Sequence, residues 1–348
     1  MWSEQKLQFL ACAEHALALG GPGSGKTHVA LVKARDEIRS GALKPGQKIL
    51  FLSFARPTVA RIIEKASELI TREDMQWLEV NTYHGFAWTV LKSHAYLLNG
   101  RSNVQLLPPP EAAAHLTDIA KDGHEAEKLR LFEQDGRLHF DLFARLVGEL
   151  FQRSGRIARI FSDSYPIIIL DEFQDTNSDE WALIQQLGRW SRLIALADPD
   201  QRIYEFRGAD PRRMGEFIGS FQASSFDFVG ENHRSNGTDI ASYGNDLLTG
   251  ANRGKDYQQV KVYRYGFLRG KSPHFTAKAA VFSALNRLKN VPEKSIAILV
   301  PSKRLMIELS DYLSSSTDGL PELSHDVAMD TEPPALAAGV IASLLEGG

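Results

Sequence analysis

Residues 20–27 read GGPGSGKT. They stand between a short apolar run, ALAL at 16–19, and a stretch whose Ala30, Leu31, Ala34 and Ile38 recur on one helical face. Strand, Gly-rich loop and helix form the context in which G-x-x-x-x-G-K-[ST] has a mechanism. Glycines let backbone N–H groups point at phosphate oxygens, and the following helix N-terminus adds a favourable dipole. The competing reading is a Gly-rich turn with an exposed lysine. A phosphate loop in this setting demands an α/β fold with the loop at the carboxyl end of a buried strand.

The rest of the chain keeps the same rhythm. Short apolar runs recur at 15–21, 48–54, 77–84, 165–172 and 191–198, each ending in polar or Gly-rich residues. Their length and near-continuous hydrophobicity suit parallel strands buried on both faces. Helical patterns lie between them; after Asn177 the segment SDEWALIQQLGRW places Trp181, Ile184 and Leu187 on one face. Two regions break the alternation. Residues 89–140 carry LLPPPEAAAH and a charged helical stretch without strand signals, as expected of a reduced helical insertion. Beyond Gly230 a fresh set begins, with strands expected at 259–266 and 295–300 and helices at 276–290 and 303–313. The expected organisation is a first α/β lobe from 1–88 and 141–230, the insertion at 89–140, and part of a second lobe at 231–348. A chain of 348 residues is long enough for about two domains.

The bulk numbers exclude more than they assign. A single Cys12 rules out a disulfide framework, no apolar run approaches a membrane span, and the first ten residues lack the regions of a signal peptide. A cytoplasmic location without membrane partners is expected. The net charge of −3 does not announce a nucleic-acid binder. Charge is nevertheless uneven, with Arg56, Arg61, Lys65 and Arg72 in one stretch and Arg202, Arg207, Arg212 and Arg213 in another. Solvated helix faces are the simplest account of both.

Residues 167–177, IIILDEFQDTN, supply what the phosphate loop lacks. Gly20, Gly21, Pro22, Gly23, Ser24 and Gly25 would cradle phosphate oxygens, Lys26 would meet the β and γ phosphates, and the Thr27 hydroxyl would ligate Mg²⁺. A carboxylate on a neighbouring strand is then needed to hold the metal through its water shell, and Asp171 is placed to do so. Glu172, adjacent, suits the polarisation of an attacking water. The alternative, that both acids only cap the next helix, is weakened because Asp175 or Asn177 could do that unaided.

The string DEFQDT at 171–176, together with GPGSGKT, resembles the superfamily 1 DNA helicases of the UvrD/Rep/PcrA type. The likeness continues in order. SEQ at 3–5 looks like the family's glutamine motif, which would set Gln5 against the adenine edge. ILFLSFARPTV (49–59) is similar to its T-F-T-N-K-A-A segment and NTYHGFA (81–87) to its T-F-H segment. ALADPDQRIYEFRGAD (195–210) resembles G-D-x-D-Q-S-I-Y-x-[FW]-R-G-A, ENHRSNGTDI (231–240) resembles N-Y-R-S, and SIAILVPSKR (295–304) looks like the opening strand of the second motor lobe. The resemblance implies a RecA-like P-loop NTPase lobe with a parallel sheet and helical insertion, plus the start of a second RecA-like lobe.

The resemblance also assigns roles. Gln201 would sense the γ phosphate and help orient water, and Arg234 would reach that phosphate as a catalytic arginine. Phe54, Tyr204 and Phe206 would form pockets for unstacked bases, while Thr82, His84 and Arg207 would contact the DNA backbone, with Arg56 beside them. Departures are visible: Ala55-Arg56-Pro57 replaces Thr-Asn-Lys, His233 stands where a tyrosine stacks on adenine, His28 replaces the arginine after the loop threonine, and Arg202 follows the motif glutamine. No sequence like the family's last two motifs appears before the end of the chain, so a fragment of a longer motor is expected. The implied activity is a Mg-ATP-dependent 3′→5′ translocase and helicase on single-stranded or partly duplex DNA, in repair, recombination or defence. ATP would close a cleft between two α/β lobes. The alternative is an ATP-gated DNA-binding subunit that regulates a partner nuclease or repair protein without unwinding. An unrelated P-loop kinase or GTPase would leave DPDQRIYEFRG and NHRS unexplained.

Overall fold

The structure is a computed structural model and describes residues 2–101, 104–199, 210–228, 238–250, 255–263 and 272–327. The chain divides into two compact units, Met1–Lys255 and Asp256–Gly348.

The first unit is built on a six-stranded sheet. Its members are β1 (Ala16–Leu19), β2 (Ile49–Ser53), β3 (Leu78–Thr82), β6 (Ile167–Leu170), β7 (Arg192–Ala197) and β8 (Ser224–Asp227), in the order β3-β2-β6-β7-β1-β8. Every pairing is parallel, so all six carboxyl ends share one edge. The apolar runs of the sequence become strands because each buries both faces. Side chains alternate between two cores: Leu50, Leu52, Ile168 and Leu170 enter one, while Ile49, Phe51, Ile167 and Ile169 enter the other. Helices Tyr83–His94, Phe143–Arg153, Gly155–Ser164 and Ser178–Leu187 contribute to the first core. Helices Glu4–Ala11, Lys26–Arg39 and Arg56–Leu69 contribute to the second.

Three sequence expectations need correction. The strand β8, SSFD, forms without the apolar run expected of a strand; it is an edge strand that buries Phe226 and exposes Asp227. The 89–140 region is not free of strands, since β4 (Gln105–Leu106) and β5 (Arg137–Leu138) pair in parallel around short helices. In the second unit the helices form, at Pro273–Arg287 and Lys303–Ser314, but the described residues of 259–266 and 295–300 form no strand. A strand requires a ladder partner, and none is present there among the described residues. Leu299 is 92% exposed accordingly.

Candidate nucleotide-binding site

The loop 20–27 leaves β1 at the carboxyl edge. The Gly20 N–H donates to the Ala197 carbonyl at 3.1 Å, continuing the β1–β7 ladder one step into the loop. Two glycines then turn through the left-handed region, Gly23 at φ 77° and Gly25 at φ 89°, where a side chain would be strained. Gly25 is the N-cap of helix Lys26–Arg39. A Cβ at Gly20 would lie 2.6 Å from the Ser24 hydroxyl, so the close turn needs glycine there too.

The strand order then brings the acids to the loop. Asp171 follows β6 and Asp198 follows β7, and β7 lies between β6 and β1. A cavity of about 380 Å³ is lined by the loop together with Lys65, Asp171, Glu172 and Asp198. Lys26 Nζ donates to the carbonyl oxygens of Gly20 and Gly21. Burial pushes its ammonium below the usual lysine range, with Asp198, Glu172 and Asp171 pulling the other way. Asp171 is 4% exposed and accepts a hydrogen bond from Ser53 Oγ at 3.2 Å. Burial, with the neighbouring Glu172 charge, pushes its carboxyl up to about 7, against Ser53 and Lys26. Such crowding is costly for a carboxylate alone and is relieved by a hard dication. The oxygen donors of Thr27 and Asp171 therefore fit Mg²⁺ by chemistry.

Glu172 has a left-handed backbone, φ 51° and ψ 41°, a conformation costing a non-glycine residue roughly 1–2 kcal/mol. Its carboxylate accepts from Gln174 Nε2 at 2.7 Å. Neither acid is required for capping: Asn177 accepts from the Glu180 N–H and Glu180 accepts from the Asn177 N–H, a complete capping box.

The remaining sequence-derived residues fall in separate places. Gln5 is exposed on the first helix, and its Oε1 accepts from the Asp227 N–H at 3.2 Å, so it is tied to the end of β8. His28 lines the cavity and stacks on Trp2, ring centroids 5.7 Å apart. Phe54, Arg56, Thr82 and His84 gather at the ends of β2 and β3, where Ser53 pairs with Thr82. Thr82 is an N-cap whose hydroxyl accepts from the Gly85 N–H, Arg56 is exposed, and His84 lies among Phe140 and Phe143. Phe54, expected to receive a base, is half-buried with its ring 4.6 Å from that of Tyr83. Gln201, Tyr204, Phe206, Arg207, His233 and Arg234 lie outside the described residues.

Two cavity residues escaped the sequence reading. Asp198 ends an apolar run just as Asp171 does, which was a usable signal. In the sequence Lys65 is one of several residues of a basic stretch, and its arrival at the cavity depends on how helix Arg56–Leu69 packs.

A parallel sheet with a Gly-rich loop and carboxylates meeting at its carboxyl edge defines a P-loop nucleotide-binding protein. The chain belongs to the UvrD/Rep helicase family: the UvrD/REP helicase N-terminal domain model matches residues 1–139 and 125–222. The ATP-dependent DNA helicase Rep of Salmonella typhimurium is 24% identical over 264 residues, covering 64% of this chain and 39% of Rep. DNA helicase II of Escherichia coli is 24% identical over 293 residues, 72% of this chain and 40% of that protein. ATP-dependent DNA helicase PcrA of Staphylococcus aureus is 21% identical over 277 residues, 67% and 37% respectively. The chain thus spans about two fifths of the length of these relatives. Among solved structures, Pif1 helicase from Candida albicans aligns with a TM-score of 0.40 at 11% identity, over 90% of this chain and 62% of that one. Among the described residues no helix is long and apolar enough to cross a membrane.

Proposed function

We propose that this chain is the nucleotide-binding part of an ATP-driven DNA motor, working 3′→5′ on single-stranded or partly duplex DNA. The observation that carries the proposal is the meeting of Lys26, Asp171, Glu172 and Asp198 around one cavity at the mouth of the phosphate loop, in a chain of the UvrD/Rep family. The names of the relatives support ATP and DNA as substrate and track, and the motif resemblance supports the direction. Repair, recombination or defence is the setting such motors serve.

In this reading the loop N–H groups receive the phosphates, and Lys26 leaves the Gly20 and Gly21 carbonyls for the β and γ oxygens. Thr27 and Asp171 would hold Mg²⁺, which supplies charge neutralisation at those phosphates. Glu172 orients and polarises the attacking water; its carboxylate accepts a hydrogen bond from Gln174. The ends of β2 and β3, bearing Phe54, Arg56, Thr82 and His84, lie on the same sheet edge as the cavity. Contacts to a strand of DNA there would be two ladder steps or fewer from Asp171.

The test is steady-state ATP hydrolysis by the 348-residue chain, with and without single-stranded DNA, beside Glu172→Gln. DNA-stimulated turnover that falls by at least about a hundredfold in the variant is expected. Turnover that is indifferent to DNA and to Glu172 would overturn the proposal.

A further inference from the structure

Gln174 is 1% exposed, in the short turn Phe173–Asp175 beyond β6. Its amide is used in two directions. Nε2 donates to Glu172 Oε2 at 2.7 Å, and Oε1 accepts from the Asp198 N–H at 2.9 Å. Asp198 is the first residue beyond β7, itself 1% exposed, and the chain runs from it towards 201–207. One planar group therefore ties the carboxylate of Glu172 to the exit of the neighbouring strand.

We infer that Gln174 is a positioning residue that aims the Glu172 carboxylate according to the position of the β7 exit. The inference rests on the reading of Glu172 given under Proposed function. A primary amide of this length offers a donor and an acceptor at opposite corners of a rigid plane; an ionised carboxylate lacks the donor, and a thioether lacks the N–H donors. Pinning Oε2 leaves Oε1 of Glu172 as the oxygen that can receive water. Among the described residues, the titratable groups that feel that carboxylate are Lys26 from the loop, Asp171 at the end of β6 and the buried Tyr83 from helix Tyr83–His94. Of these, Lys26 bonds loop carbonyls and Asp171 bonds Ser53, which leaves the aim to Gln174. A hydrogen bond tolerates only a few tenths of an ångström before it weakens. A shift of the β7 exit must therefore carry the amide, and the carboxylate with it, or break a buried bond.

Two substitutions in the full chain separate the halves of the bridge. Gln174→Met removes both bonds at similar volume, and Gln174→Glu keeps the acceptor for Asp198 while losing the donor to Glu172. The readouts are kcat and KM for ATP with and without single-stranded DNA, and hydrogen exchange of the Asp198 amide. Both variants are expected to lower DNA-stimulated kcat at least about tenfold with KM within about twofold. Exchange at Asp198 should accelerate at least about tenfold in Gln174→Met and stay near the parent rate in Gln174→Glu. If Gln174→Met does not fold, Gln174→Glu and its kcat-to-KM split decide the matter alone. Parent-like kcat and stimulation in both variants, while Glu172→Gln is inactive, would overturn this inference and leave the motor reading standing. Absence of Glu172-dependent turnover in the parent chain would remove that reading, and this inference with it.

Discussion

Lys6, in the first helix, donates from Nζ to the carbonyl oxygen of Ser24 at 2.8 Å, inside the phosphate loop. Lys6 is 2% exposed, and its ammonium lies 5.5 Å from the centre of the Phe228 ring. Because a trans peptide points its C=O and the next N–H in opposite directions, holding the Ser24 carbonyl fixes the direction of the Gly25 N–H. A residue outside the loop thus sets part of the loop's donor array.

Lys6→Met keeps the apolar stem and removes this bond. Apparent ATP affinity should fall about tenfold with kcat within about twofold, and unfolding stability should drop by roughly 1–3 kcal/mol. Nucleotide titration and denaturant unfolding check both; an unchanged affinity would show that the loop holds its shape without Lys6.

Asp171 sets a pH dependence whose sign can be worked out. Its carboxyl is pushed from an ordinary 3.8 to about 7 in the fold, so between those values the folded chain holds a proton that the unfolded chain has lost. Stability contributed by this group is therefore greatest at low pH and declines as pH rises from about 4 to about 7. Mg²⁺ competes with that proton. The rise in melting temperature given by Mg²⁺ should be small near pH ~6 and larger near pH ~8. Equal gains at both would show that Asp171 is not where the metal binds.

Lys26 is the ammonium that faces the three cavity acids. Lys26→Met should cut ATP turnover by at least about a hundredfold. It should also destabilise the fold more at neutral pH than under acid conditions, where the acids carry protons. Thermal melts across pH, read beside the parent chain, provide the check.

Two glycines, Gly148 inside helix Phe143–Arg153 and Gly188 at the C-cap of helix Ser178–Leu187, should respond oppositely to alanine. A Cβ at Gly188 would meet Phe221 at 2.4 Å and Leu193 at 2.7 Å, whereas at Gly148 the nearest atom is 3.7 Å away. Gly188→Ala should cost roughly 1–3 kcal/mol through overpacking. Gly148→Ala, in the interior of helix Phe143–Arg153, should gain about 0.5–1 kcal/mol. Chemical unfolding of the two variants would refute the packing account if their order were reversed.

Much of this site could be read from sequence because its parts are local. The loop 20–27 and the acids at 171–172 each announce themselves within a few residues, and the strands β1, β2, β3, β6 and β7 are runs buried on both faces. Elements whose burial is one-sided were harder. The edge strand β8 is SSFD, and its pairing with β1 is a matter of topology. Asp198 and Lys65 belong to the cavity through strand order and helix packing, which no short window contains. Gln174 stands in a polar cluster, but its bonds to Glu172 and to the Asp198 N–H connect the ends of β6 and β7, a relation created by the sheet.

That sheet also acts as a gauge. The phosphate loop leaves β1 and the acid pair leaves β6, and a single strand, β7, holds them apart. Two ladder spacings of about 4.8 Å put the two strand ends roughly 10 Å apart, a distance fixed by backbone hydrogen bonds and untouched by exchange of side chains. Core substitutions can tilt or loosen the strands, but the gap between loop and acids is counted in whole strands. Tuning of this site is therefore confined to the short segments at the rim, while its breadth belongs to the topology.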